Sequence, residues 1–129
     1  MNKNYFTEFR NELLKLHKTL LDFQKNQYEG QHGKIASPQV LLGLVMDSPI
    51  FAWLRQVSEL IVAIDELTES KEEVVPDKFS DLLTYSKKLL RPNLDGNNFE
   101  KNYYNAIRND PLVALAHAKA QTALEKITL

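Results

Sequence analysis

The chain has no cysteine among its 129 residues, only four glycines and five prolines, and a formal net charge of −1 at neutral pH. Each shortage excludes something. Without cysteine there is no disulfide framework, no cysteine-ligated zinc or iron–sulfur cluster and no thiol nucleophile. With 17 acidic side chains against 16 basic ones, the chain lacks the excess of Lys and Arg on which general nucleic-acid or anionic-membrane binding depends. It has no glycine-rich run to cradle phosphates and no G-x-S-x-G for a serine nucleophile. Long apolar runs are missing as well. The strongest, residues 60–67, is interrupted by Asp65 and Glu66, whereas about 18 apolar residues are needed to span a bilayer. The opening stretch MNKNYFTEFRNELLK is charged throughout and lacks the apolar centre of a signal peptide. These absences lead to the expectation of a cytoplasmic protein with no membrane association, no direct nucleic-acid contact and no cofactor.

What is present is helical patterning, with 43% of residues apolar. The length suits one domain covering residues 1–129, and a chain of this size buries about two-thirds of its unfolded surface without staples. Residues 4–29 contain no Gly or Pro, and Phe6, Phe9, Leu13, Leu16, Leu20 and Phe23 recur at spacings of 3 and 4. That puts them on one stripe of a long helix. Leu14, His17, Leu21 and Tyr28 lie on a neighbouring stripe, so the helix is expected to meet more than one partner. Gly30 and Gly33 are expected to end it.

Ser37-Pro38 then reads as an N-cap followed by a proline at the first helical position. It opens a short apolar helix over residues 39–46. Asp47-Ser48-Pro49 restarts the chain in the same way, and the helical pattern continues over residues 50–68 with Trp53, Val57, Leu60, Ile64 and Leu67 on one side. A charged connection over residues 69–73 leads to a third arm at residues 77–91. Phe79, Leu82, Leu83, Ser86, Leu89 and Leu90 face inward there, and Arg91-Pro92 ends it. Asn97 with Glu100 has the form of a capping box. The last arm carries Phe99, Tyr103 and Ile107, breaks at Asn109-Asp110-Pro111 and resumes over residues 112–127. The restarts at Pro49 and Pro111 look alike, through duplication of a helical hairpin or through two independent uses of common start chemistry. The predicted architecture is an all-α, antiparallel four-arm bundle whose second and fourth arms are broken at Pro49 and Pro111.

Candidate chemistry is sparse. A di-iron bundle needs Glu-x-x-His pairs on two helices, but Leu14 and Ala114 stand three residues before His17 and His117. The three histidines, at 17, 32 and 117, have no metal-ligand spacing. Helix starts at Ser37, Ser48 and Asp110 offer N–H groups to an anion, although ordinary caps use those groups already. Polar residues inside apolar stretches are more informative. Arg55, Ser58 and Asp65 belong to the helix that reads as most buried, and a buried carboxylate must be paired or neutralised. Asp65 is expected to meet Arg55 of a partner chain, or His17 or His117 of a neighbouring helix. Such a pair either fixes helix register or forms part of a ligand site. His17 sits among leucines as a core histidine or a ligand, and His32 lies in a polar turn that either stitches the loop or binds. Trp53 reads most simply as core. If exposed beside Ile50 and Phe51, it would instead make an interface hot spot.

The stretch Ser48-Pro49-Ile50-Phe51-Ala52-Trp53-Leu54-Arg55, followed by Ser58, Leu60-Ile61-Val62 and Ile64-Asp65-Glu66, resembles the core motif D-P-x-F-A-W-L-R-P-L-S-x-L-I-V-x-I-D-E of a small uncharacterised bacterial all-helical family. The likeness extends in patches to Leu16-His17, Tyr28-Glu29, His32-Gly33, Asp110-Pro111 and Ala116-His117. It departs where Ser48 separates Asp47 from Pro49 and where Gln56 replaces a proline, which should leave the helix straighter beyond Arg55. The resemblance implies helices and no mechanism. It singles out the same polar set, His17, Glu29, His32, Arg55, Ser58, Asp65 and His117. The expected function is a non-catalytic protein-interaction or assembly module, as a homodimer or with a protein partner. The alternative is a small-molecule or catalytic site between helices built from Arg55, Asp65, His17 and His117, with Asp65 as base, Arg55 as anion clamp and a histidine as proton carrier.

Overall fold

The computed structural model describes residues 3–72 and 76–128. Among these residues the chain is all helical, with seven helices and no strand: α1 (Lys3–His32), α2 (Pro38–Asp47), α3 (Pro49–Ala52), α4 (Arg55–Thr68), α5 (Pro76–Leu89), α6 (Asn98–Asn109) and α7 (Pro111–Glu125). Residues 73–75, from the end of the charged connection up to the third arm, lie outside the described residues.

The helix starts follow local chemistry. The Ser37 hydroxyl accepts from the Val40 N–H at 3.2 Å, and that of Ser48 from the Ile50 N–H at 3.3 Å. Asp110 accepts from the Leu112 N–H at 2.9 Å. Asn97 and Glu100 close a complete capping box, each side chain accepting from the other's backbone N–H at 2.9 and 3.2 Å. The end of α1 is set differently from the expectation. Gly30 is helical, and the chain leaves the helix only at Gly33, whose φ of +88° suits a residue without a β-carbon. Its N–H bonds back to the Glu29 carbonyl at 3.0 Å, which closes the helix in the left-handed manner.

α1 is the axis of the core. The six residues of its predicted stripe, Phe6 to Phe23, are the ones it buries, each fully buried Phe or Leu contributing about 1.5–3 kcal/mol. α4 and α7 flank it. Arg10 of α1 meets Asp65, His17 shares a hollow with Ser58, and Gln24 meets Trp53. Positions on one helix rise as those on the other fall, so α4 runs opposite to α1. Lys126, just past α7, reaches Glu8 near the start of α1, and Glu12, one turn further on, shares a hollow with Ala118 and Lys119 earlier in α7, so α7 also runs opposite.

Two features depart from the sequence reading. The expected continuous helix over residues 50–68 is interrupted at Trp53 and Leu54, where the chain tightens into a turn. Leu54 N–H bonds to the Phe51 carbonyl and Val57 N–H to the Leu54 carbonyl, both at 3.1 Å in the three-residue pattern of a 3₁₀ helix. Phe51 and Trp53 are both buried, yet in a straight α-helix two such positions project about 200° apart. The tightening re-aims the chain so that both enter the core. Beyond Arg55 the helix is unbroken. The breaks before Pro49 and Pro111 are also reversals of direction rather than kinks. Tyr103 and His117 are 5.2 Å apart between ring centroids, whereas 14 residues along one helix span about 21 Å. The residue between the two helices is extended in both cases, Ser48 with ψ of 132° and Asp110 with ψ of 112°, and this turns α3 and α7 back. The restarts share their cap chemistry but differ afterwards, since α3 stops after four residues and α7 runs for 15.

Candidate functional site

Three of the candidate residues, His17, Arg55 and Ser58, meet around one hollow of about 150 Å³, which Val45, Met46, Phe51 and Leu54 enclose. The reversal at Ser48 brings the end of α2 over His17 of α1 and the start of α4. Burial lowers the pKa of His17 below the ordinary histidine value, because the charged imidazolium loses its water there. The other polar groups are engaged with backbone. Arg55 Nη2 donates to the Met46 carbonyl at 2.8 Å, in the last turn of α2, where carbonyls lack helical partners and a cation is favoured. Ser58 donates to the Arg55 carbonyl at 3.1 Å. Arg55 therefore fastens α2 to α4.

Asp65 does not join them. Its partner is Arg10, with Nε 2.8 Å from Oδ1 and Nη2 3.2 Å from Oδ2, a two-pronged ion pair between α1 and α4. This corrects the expectation of Arg55, His17 or His117. Within one chain Arg55 starts about 15 Å along α4 from Asp65. Arg10 was not singled out in the sequence, although its place beside the stripe, four residues after Phe6, was a usable signal. His117 pairs with Tyr103, whose hydroxyl reaches Nδ1. Burial raises the Tyr103 pKa and lowers that of His117. Burial therefore favours the neutral form of both groups, which share this one hydrogen bond. A buried phenol needs such a partner, and the sequence reading placed Tyr103 only as an apolar position.

His32 is exposed in the last turn of α1 and stacks on Tyr28 with ring centroids 4.6 Å apart. Glu29 ties down the same turn by accepting from the Ile35 N–H at 2.8 Å. The interface trio is also divided: Phe51 and Trp53 are 1% and 4% exposed, and Ile50 alone reaches solvent at 38%. The Trp53 indole N–H donates to Gln24 Oε1 at 2.9 Å. Trp53 is core, and no exposed hot spot forms around it. His17, Arg55, Asp65 and His117 thus occupy three separate places, and no group of acidic or histidine residues among the described residues is placed to hold a metal ion.

No family model, curated protein or solved structure matches the chain. The motif likeness in residues 48–66 therefore carries no argument about function. No helix of the described residues is long and apolar enough to cross a membrane.

The exposed surface carries the clearer signal. α2 reads PQVLLGLVMD and buries none of its residues, with Leu42 and Met46 exposed at 59% and 63%. Leu41, Leu44 and Val45 dock partly against the core. A helix that is apolar on all sides is ordinarily enclosed, yet this one leaves Gln39, Leu42, Gly43 and Met46 on its outer side. No charged side chain occurs from Ile35 to Met46. The composition of this stretch was legible in the sequence; its exposure was not.

Proposed function

We propose that the protein is a non-catalytic assembly module that pairs with a second copy of itself through the outer face of α2. The observation that carries this reading is a ten-residue apolar helix with no buried residue, because an exposed apolar patch commonly marks an interaction surface. The absence of charge favours a second copy. The face built on Gln39, Leu42, Gly43 and Met46 meets itself without repulsion, and a two-fold contact uses the same patch on both subunits. Antiparallel pairing of two α2 helices also brings each Asp47, at the negative end of its own helix, to the positive end of the other. A catalytic reading has less support, since Arg55 and Ser58 are already bonded to backbone and Asp65 is bonded to Arg10.

Light scattering and sedimentation equilibrium at micromolar concentration test the proposal. Wild type is expected as a dimer, and Leu42→Glu and Met46→Glu as monomers with unchanged helical content, since both side chains already face solvent. A wild-type monomer throughout that range would overturn it.

A further inference from the structure

A cleft of about 230 Å³ is lined by residues of α1 and α6 together with Ile50 and Trp53, and it shares no residue with the outer α2 face. Its chemistry is unusual for this chain. A quarter of all residues are charged (26%), yet the cleft is lined by five carboxamides, Gln24, Gln27, Gln31, Asn102 and Asn105, and by no charged side chain. The amides come from two periodic rows. Gln24, Gln27 and Gln31 recur at spacings of 3 and 4 on α1, while Asn98, Asn102, Asn105 and Asn109 recur at 4, 3 and 4 on α6. Each row follows one helix face, and the fold sets the two beside each other.

The hydrogen bonds fix which way several of these amides present themselves. The Trp53 indole N–H can only donate, so Gln24 must offer it Oε1 and keep its NH₂ for the cleft. Asn105 Oδ1 accepts from Asn109 at 2.8 Å, which leaves the Asn105 NH₂ available as a donor. Asn102 Nδ2 donates to the Asn98 carbonyl and side-chain oxygen at 2.8 and 3.2 Å, which leaves its own Oδ1 as an acceptor. Gln27 and Gln31 have no partner among the described residues and can turn either way.

We propose that this cleft binds one uncharged sugar ring of hexose size. Its lining offers donors and acceptors side by side and no charge, which matches hydroxyl groups that each donate and accept. A phosphate or carboxylate would find no cation to pair with there. A planar base would require stacking, but Tyr28 is flanked by His32 at 4.6 Å and Phe51 at 5.8 Å, and Trp53 is buried with its ring against Phe99 at 5.6 Å. Ile50, which reaches solvent, supplies the apolar contact that the C–H face of a sugar ring requires. The volume is below the roughly 300 Å³ at which drug-sized sites begin, in keeping with a single ring.

Titration of ¹⁵N-labelled protein tests this, because the side-chain NH₂ signals of the five amides and the Trp53 indole signal report on the cleft directly. Millimolar D-glucose or N-acetyl-D-glucosamine is expected to shift these signals and leave those of α2 in place. The double variant Gln27→Leu with Asn105→Leu should weaken binding about 10-fold or more without lowering the melting temperature, since both side chains are exposed. Asn105→Asp, which keeps the shape and removes a donor, should also weaken it. Absence of shifts with both sugars, equal binding by the double variant, or stronger binding of adenosine than of either sugar would overturn the proposal.

Discussion

Asp65→Asn and Arg10→Gln, alone and together, measure the contact that sets α4 against α1. The guanidinium meets both carboxylate oxygens, at 2.8 and 3.2 Å, and the two side chains are 31% and 30% exposed. Exposed ion pairs contribute about 0.2–1 kcal/mol, and breaking fully buried ones costs about 3–5 kcal/mol. A two-pronged pair at this intermediate depth should show a coupling of about 1 kcal/mol. In a domain of this size that corresponds to a few degrees in melting temperature, about 3–5 °C. Urea unfolding of the four proteins in low salt yields the coupling as the departure from additivity. It should weaken as salt is added, because solvent ions reach a pair at this depth. A second cycle with Arg55→Gln and Asp65→Asn should be additive within about 0.5 kcal/mol, since Arg55 is bonded to the Met46 carbonyl instead. Additivity between Arg10 and Asp65, with coupling between Arg55 and Asp65, would refute the reasoning.

Further outcomes follow from the same structure. Gly43 lies inside α2, and a β-carbon there would meet nothing within 4 Å; in the monomeric Leu42→Glu background, Gly43→Ala should therefore stabilise by about 0.5–1 kcal/mol in thermal melts. His17 and His117 are both held below the ordinary histidine value of 6.5 by burial, so the unfolded chain binds protons first as pH falls. Their effect is a stability that is complete above about pH 6.5 and declines below it until the lowered folded values are passed; urea midpoints should fall on acidification, and less so in His17→Gln. Asn97→Ala removes one half of the α6 capping box and should cost about 1 kcal/mol in urea unfolding, with Asn97→Ser recovering most of it.

Much of the local structure was legible because it is decided within a few residues. The α1 stripe, the Ser37 and Ser48 caps, the Asp110 restart and the Asn97–Glu100 box depend on periodicity and on side chains bonding nearby N–H groups. The candidate site was less legible. His17, Arg55 and Ser58 stood out as polar residues within apolar stretches of sequence, and the fold brings them to one hollow. Their partners could not be read, because the Met46 carbonyl reaches Arg55 only after the chain reverses at Ser48. Asp65 demanded a cation, but the choice of Arg10 over Arg55 depends on the register between two helices 55 residues apart in sequence. The rows of Gln and Asn were visible as spacings. They gained meaning only when α1 and α6 set them around one cleft.

The sequence by itself determined that this chain folds as helices, where most of them begin, and which face of α1 enters the core. Those features follow from backbone hydrogen bonding and from apolar periodicity, both local properties. It also excluded thiol chemistry and disulfides by composition alone. Only the tertiary structure decided that the helices reverse at Pro49 and Pro111, that Phe51 and Trp53 turn together into the core, and that α2 keeps an apolar face in solvent. Each of these depends on where distant segments pack, and a side chain's exposure is a property of its neighbours in space, which the order of residues along the chain does not state.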